Sequence, residues 1–344
     1  MRKILAFCLS LLCLMPGAGA GAEKRITVSF TGDVTLGGTE TGRNSPESFD
    51  SHAAQQGYEY FFRNVRALFQ SDDLTLVNLE GVLSDSRLHE NKKKAFRFRG
   101  KTDFVNILTL SGIEACNVAN NHTTDFGRRG YRSTVTTLKN AGVSVCGNEN
   151  SFIYTSEGIQ IAFFSFNGSY MTDPHIEETK EIIWGLRDDG VNAVVCCFHA
   201  GQEYAPGRRG WDQERYAAVA LEEWGADLVV MHHPHVLQGI DRTDSAYIFY
   251  SLGNFCFGGN AEIRCKEGYP EIRTLETAVL QMDLVFDDRG VYLGQEGRIY
   301  PCFSSSSASA AGDMNDYQPK LVSGEEAEGV LERTRRIRTS ISGR

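Results

Sequence analysis

Five apolar, strand-like runs in this 344-residue chain each lead into a side chain that carries an oxygen or nitrogen donor. Arg25 to Phe30 runs into Gly32-Asp33, Leu74 to Val77 into Asn78-Leu79-Glu80, and Ala115 to Val118 into Asn120-Asn121-His122. Ala193 to Phe198 ends at His199, and Asp227 to Met231 at His232-His233-Pro234-His235. Ile159 to Phe166, Tyr247 to Tyr250 and Thr277 to Val285 are further strand-like runs. Helical spacing fills Tyr60 to Phe69, Phe104 to Ser111, Tyr131 to Ala141 and Asp212 to Trp224, with Gly142 placed to stop the third. Apolar runs of this length, separated by helices, predict strands covered on both faces, hence an α/β protein. Such proteins present reactive groups at the ends of their strands, so the donors fall where chemistry is expected.

The composition is that of an ordinary globular protein, 41% hydrophobic and 23% charged. A net charge of −9 argues against a nucleic-acid partner, which needs a surplus of Lys and Arg to neutralise phosphates. The one basic run, Lys92-Lys93-Lys94 with Arg97 and Arg99 nearby, is expected to be a solvated loop.

Residues 1–22 have the pattern of a secretory signal peptide. Arg2 and Lys3 form a basic start, Ile4 to Leu14 an apolar stretch too short to span a bilayer comfortably, and Pro16-Gly17 a break. The small residues after the break offer cleavage after Ala20 or Ala22, and Leu12 before Cys13 does not suit a lipid-anchor site. The expected location is therefore outside the cytoplasm, periplasmic or extracellular. Seven cysteines remain after such cleavage, an odd number that leaves at least one thiol free or bonded between molecules. Cys116, Cys146, Cys196 and Cys197 sit in apolar runs, where cysteine acts as a small hydrophobe, and no CxxC pair suggests thiolate zinc ligation. Cys256 and Cys265 are placed to close a loop. Residues 23–303 read as one domain, continued over 304–344 by a flexible serine-alanine linker and a terminal helix, Glu325 to Ile337.

Singly, each strand-end donor has a plain structural reading: Asp33 a turn former, Glu80 a cap, Asn121-His122 a turn, His199 a core histidine. Three imidazoles around one proline have no such common purpose, and five donor events at successive strand ends point to one site. The set suits two divalent cations a few Å apart, which need a bridging carboxylate, flanking oxygen and nitrogen ligands, and open positions. Glu80 is placed to bridge, Asp33 and His235 to hold one ion, and Asn121, His199 and His233 the other. His122, next to a ligand, is then free to donate a proton to a leaving oxygen. The mixed donors suit one or two ions of Mn, Fe or Zn better than calcium. Arg128, after the Asp125-Phe126-Gly127 turn, is a candidate for pairing with an anionic substrate.

The series GDVTLGG, NLEGVLSD, VANNHTTDFGRRG, CCFHAGQEY, GADLVVMHHPHVLQG and IFYSLGNFCF resembles, in order and spacing, the bacterial capsule-synthesis CapA family, members of which are tied to poly-γ-glutamate capsules. The resemblance runs from about residue 26 to 303. It implies a variant of the calcineurin-like metallophosphoesterases: a four-layer α/β/β/α sandwich with metals at strand ends. Asn121-His122, His199 and His233-Pro234-His235 correspond to that group's Asn-His, lone His and His-x-His motifs. Thr35 stands where its Asp-x-His motif has a histidine, and Glu80 where the bridging ligand is usually Asp. One ion then lacks a nitrogen ligand, so it binds more weakly, gains a substitute, or is absent. Within Ser251-Leu252-Gly253-Asn254-Phe255, Asn254 is placed either to line the substrate site or to stabilise a strand-ending turn. The resemblance leaves two functions open: an exported metal-dependent phosphohydrolase of capsule synthesis, or a non-catalytic accessory protein of polymer assembly or export. The partners implied are an anionic envelope polymer or phosphorylated precursor, and capsule-synthesis membrane proteins.

Overall fold

The computed structural model describes residues 8–9, 23–168, 173–206, 213, 216–217, 220, 224–242, 246–259, 273–307 and 315–335. Strands are numbered in chain order. One sheet runs β1 (Cys8–Leu9), β16 (Tyr292–Phe303), β15 (Glu276–Phe286), β2 (Lys24–Thr35), β3 (Leu74–Leu79), β6 (Ala115–Asn117), β7 (Ser144–Cys146). Beside it, β14 (Asn254–Phe257) pairs with β2 and β17 (Lys320–Leu321) with β16. The second sheet runs β12 (Ile240–Arg242), β13 (Tyr247–Phe249), β11 (Leu228–His232), β10 (Ala193–His199), β9 (Ile159–Asn167), β8 (Phe152–Ser156). A short pair, β4 (Val82–Leu83) and β5 (Arg99–Gly100), stands apart.

Side-chain alternation along the strands explains the layers. In β10, Ala193, Val195 and Cys197 join a core shared with Val28, Phe30, Leu76 and Leu280 of the first sheet, so the two sheets pack face to face. Val194, Cys196 and Phe198 point the other way, into a core with Ile183 of α5 (Asp173–Asp188) and with Ala217 and Ala220, which are helical. On the outer face of the first sheet, Val77, Leu79 and Cys116 meet four helices: α1 (Phe49–Gln56), α2 (Arg66–Phe69), α3 (Val105–Thr109) and α4 (Gly127–Asn140). Helix, sheet, sheet and helix therefore succeed one another in that order, the α/β/β/α sandwich expected from the resemblance.

Because β2, β3, β6 and β7 are mutually parallel, as are β9, β10, β11 and β13, each sheet gathers its carboxyl ends along one edge. One irregularity aims a side chain. The register of β2 against β3 gains a residue between Phe30 and Asp33, a bulge. Ile26, Val28 and Phe30 face the other sheet; past the bulge Asp33 can face it too, and Val34 joins the helix-side core instead. Gly32 makes the bulge fit, since a Cβ there would lie 2.2 Å from the Gly253 carbonyl oxygen.

Three expectations concern the chain ends and the cysteines. The signal segment 1–22 lies outside the described residues apart from β1, which pairs antiparallel with Arg298 and Gly297. Cys265 also lies outside them, so the loop closure expected with Cys256 does too; the Cys256 thiol donates to the Tyr317 carbonyl at 3.2 Å. The start of the 304–344 segment is fixed rather than flexible. Asp316 accepts from the Ser305 hydroxyl at 2.7 Å and from the Ser306 and Ser307 backbone N–H groups at 2.9 and 3.1 Å. Ser304 and Ser305 are buried. Residues 308–314 lie outside the described residues. Asn315 then donates to the Phe257 carbonyl at 3.0 Å, which ties this segment to β14. The terminal helix, Glu325–Arg335, buries Val330 with Leu237, Leu275, Ala278 and Phe303, and its Arg333 pairs with the buried Glu276. The serine run has the composition of a loose linker, but a single carboxylate eleven residues beyond Ser305 holds it.

Candidate metal centre

The carboxyl ends of β2, β3, β6, β10 and β11 bring the expected donors into one cluster. Asp33, Glu80 and His199 are buried and offer donor atoms all within 4.8 Å of one another. Asp33 Oδ1 accepts from Asn78 Nδ2 at 2.8 Å. Its Oδ2 lies 3.2 Å from His235 Nδ1, an ion-pair distance, but has no well-formed hydrogen bond. His199 Nε2 lies 3.0 Å from Asn121 Oδ1, 3.1 Å from His233 Nδ1 and 3.5 Å from Glu80 Oε1. Its Nδ1 faces Asn78 Nδ2 at 3.3 Å. His235 Nδ1 also meets Asn254 Oδ1 at 2.9 Å. The sequence pairs Asp33 with His235, and groups Asn121, His199 and His233; the structure brings these same groups together.

Each donor is aimed by a local device. His199 keeps the inward register of Ala193, Val195 and Cys197. His232, which continues the inward side of β11, serves structure instead, its Nε2 3.0 Å from the Thr31 carbonyl oxygen. His233 and His235 come after the strand with φ of +104° and +58°. Positive φ in a non-glycine residue costs about 1–3 kcal/mol and collects at functional sites. Here it turns two imidazoles back toward Asp33 and His199.

Asn78, not among the residues expected from sequence, acts as a hub. Its amide nitrogen donates to Asp33, and its oxygen accepts from Asn117 Nδ2 at 2.9 Å. Asn120 Nδ2 donates to the Leu79 carbonyl at 2.8 Å, which fixes the turn that carries Asn121 and His122. These asparagines sit at one level of β3 and of β6 with its adjoining turn. The placement of Asn78, Asn117 and Asn120 at strand ends is visible in the sequence, but neighbouring histidines give a stronger signal than amides do.

His122 is 7% exposed, and its Nδ1 lies 2.7 Å from Asp125 Oδ2. Asp125 is fully buried and also accepts from the Phe98 backbone N–H at 2.8 Å and from Lys94 Nζ at 2.7 Å. Lys94 donates in addition to the Asn121 carbonyl. The expectation of a solvated basic loop is therefore wrong for Lys94, whose ammonium is drawn in by a buried carboxylate. Arg128 is exposed on the first turn of α4 and has no hydrogen bond or ion pair with the cluster among the described residues. The Tyr204 ring lies tilted against His235, with centroids 5.9 Å apart.

A second donor group is absent from the sequence expectations. Glu203, His233 and His235 offer atoms within 4.8 Å of one another, with the glutamate exposed at the rim. A signal exists, since Glu203 stands four residues past His199 in HAGQEY.

Electrostatics set the ionisation of this cluster. Burial, then the neighbouring Asp33, push the Glu80 carboxyl well above the usual carboxylate range. Burial, then His233, hold His199 far below the usual imidazole range, so it stays neutral. Burial acts against charge on His235 too, but Asp33 and Glu80 prevail and raise it to about 9.

A divalent cation fits these residues. Asp33 Oδ2 and Glu80 Oε2 are buried without hydrogen-bond partners, an expensive arrangement for carboxylate oxygens. His199 Nε2 has three close polar neighbours, and one ring nitrogen can hydrogen-bond only one of them well. Donors about 2.1 Å from one ion and roughly at right angles lie about 3.0 Å apart, the spacing found around that nitrogen.

An α/β/β/α sandwich with a buried carboxylate–imidazole cluster at its strand ends defines the class of protein. The profile of the family "bacterial capsule synthesis protein PGA_cap" matches residues 27–259, and the chain belongs to that family. The chain is 26% identical over 259 residues to "capsule biosynthesis protein CapA" of Bacillus anthracis, covering 68% of this chain and 60% of that protein. It is 27% identical over 263 residues to "PGA biosynthesis protein CapA" of Bacillus subtilis strain 168, covering 69% and 64%. Both relatives are thus spanned over less than two thirds of their own length. Among solved structures, a hypothetical protein from Thermus thermophilus superposes with a TM-score of 0.47 at 13% identity, covering 80% of this chain and 99% of that one. The calcineurin-like phosphoesterase YfkN of Bacillus subtilis superposes at 0.46 and 12%, covering 90% and 96%.

Proposed function

We propose that this chain is an exported, metal-dependent hydrolase of the phosphoester type, acting in the synthesis of a capsule or other extracellular polymer such as poly-γ-glutamate. The observation that carries the reading is the buried cluster itself, in which unpartnered carboxylate oxygens and mutually crowded imidazoles surround one point at the sheet edge. Membership in a capsule-synthesis family, and the names of the two relatives, support the cellular process.

Asp33, Glu80, Asn121, His199, His233 and His235 hold one or two ions of Mn, Fe or Zn. Bound there, such ions would supply Lewis-acid chemistry, polarising a phosphoryl oxygen and lowering the pKa of water. The rest is done by the chain. As a water oxygen bonds to phosphorus and the ester phosphorus–oxygen bond breaks, His122 donates its proton to the leaving oxygen, with its Nδ1 fixed by Asp125 so that Nε2 is the nitrogen that serves. Asn254 orients His235 and lines the site from β14. Arg128 recruits the anionic substrate from the surface rather than binding it at the cluster. The partners are an anionic envelope polymer or its phosphorylated precursor, with membrane proteins of capsule synthesis.

The test is turnover by purified protein supplied with Mn²⁺ on generic phosphomonoester and phosphodiester substrates, then on poly-γ-glutamate. Activity that chelation removes and Mn²⁺ restores is expected. Absence of metal-dependent turnover on all three, with full metal content, leaves an accessory protein whose centre is structural or binds polymer carboxylates.

Export makes a separate expectation. Protein recovered from the envelope fraction should begin after Ala20 or Ala22, as the small-residue cleavage sites require. Intact mass decides it; a protein that keeps Met1 and stays in the cytoplasm contradicts export.

A further inference from the structure

Glu203 stands outside the ligand set named above, yet the fold holds it against that set. The loop after β10 turns sharply at Gly201, with φ of +123°, and again at Tyr204, with φ of +58°. One hydrogen bond ties it to the His-Pro-His segment, the Tyr204 N–H donating to the Pro234 carbonyl at 2.8 Å, and a second ties it just beyond, Gln238 Nε2 donating to the Ala205 carbonyl at 2.9 Å. At the other end of the loop, the Ala200 N–H donates to the His232 carbonyl at 3.0 Å. A residue between two such anchors cannot drift far from His233 and His235. Its carboxylate and their ring nitrogens lie within 4.8 Å of one another.

Charge makes this placement informative. The site already buries Asp33 and Glu80, and a third carboxylate at its mouth raises the cost of both. It also repels any anionic substrate that approaches. Those penalties vanish if the carboxylate is neutralised by a cation it helps to bind. Three carboxylates offset most of the charge of two divalent ions, whereas two leave a larger surplus inside a low-dielectric site. The backbone strain at Tyr204, His233 and His235 falls on the segments that bring the three groups together, as expected where geometry serves a site.

We infer that Glu203 is a metal ligand, joining His233 and His235 at the solvent-facing side of the centre that Asp33, Glu80 and His199 close from within. The inference rests on the metal-centre reading and extends it to a residue at the open rim.

Mn²⁺ titration of the metal-free protein, monitored by calorimetry and by paramagnetic resonance of the bound ion, tests it without recourse to activity. Glu203 is exposed, so Glu203→Gln and Glu203→Ala should fold, which circular dichroism checks. Both variants should weaken one Mn²⁺ site about 100-fold or more, beyond the loss typical of residues that only support a ligand, and leave the other site at wild-type affinity. Variants that bind Mn²⁺ with wild-type stoichiometry and affinity overturn the role of Glu203 while leaving the metal centre in place. A wild-type protein that binds no Mn²⁺, Fe²⁺ or Zn²⁺ overturns the metal-centre reading itself, and this inference with it.

Discussion

His122→Ala is expected to lower metal-dependent turnover by about 10² to 10⁴, the usual contribution of a positioned proton donor. Metal content should stay at the wild-type level. The split between the two readouts comes from the structure, in which His122 Nδ1 is engaged by Asp125 at 2.7 Å while the ligand candidates crowd around His199. His233→Ala should lose metal and turnover together, since it removes a donor 3.1 Å from His199 Nε2. Elemental analysis beside steady-state rates separates them. If His122→Ala loses its metal in the same proportion as its activity, His122 is a ligand or a structural residue and not the acid.

The second large effect is expected at Glu80. Its carboxylate is 1% exposed, one oxygen lacks a hydrogen-bond partner, and burial with Asp33 nearby opposes its charge. Without a cation such a group weakens the fold, and a neutral amide of the same shape relieves the cost. Glu80→Gln should therefore raise the melting temperature of the metal-free protein, by about 1–2 °C if the relief is about 1 kcal/mol. The same change should abolish the stabilisation that added Mn²⁺ gives the wild type, because the bridging charge is gone. Calorimetric melts with and without Mn²⁺ measure both. A variant that melts lower than wild type without metal, yet is still stabilised by it, contradicts a bridging role.

Much of this centre is legible because strand ends and donors coincide in sequence. Asp33, Glu80, Asn121, His199, His233 and His235 each stand at or just past the end of an apolar run, and the fold brings them together. The same apolar runs mark the strands that carry them. Elements with weaker local signals are harder to read. β16 gives no clear pattern because Gly294, Gly297 and Pro301 interrupt it; it forms because β15 supplies an antiparallel partner along its whole length. The bulge in β2 cannot be read from RITVSFTGD, since it depends on Gly253 approaching Gly32 from a segment more than two hundred residues away. Lys94 looks solvated in sequence because its partners, Asp125 and the Asn121 carbonyl, arrive only with the fold. The serine run at 304–307 looks loose for the same reason, its partner Asp316 lying beyond an intervening loop. Glu203 has only its four-residue spacing from His199 as a sequence signal, and the turn at Tyr204 places it beside His233 and His235.

Whether the strand-end cluster holds divalent transition-metal ions is read most directly from elemental analysis of the protein. Protein purified without chelator, and the same protein stripped and reconstituted with Mn²⁺, Fe²⁺ or Zn²⁺, should carry about one to two equivalents per chain. Asp33→Asn and His199→Ala should carry far less. Wild-type protein that retains less than about a tenth of an equivalent after reconstitution contradicts the account, because a site of this donor chemistry and spacing would then have no cation to justify it.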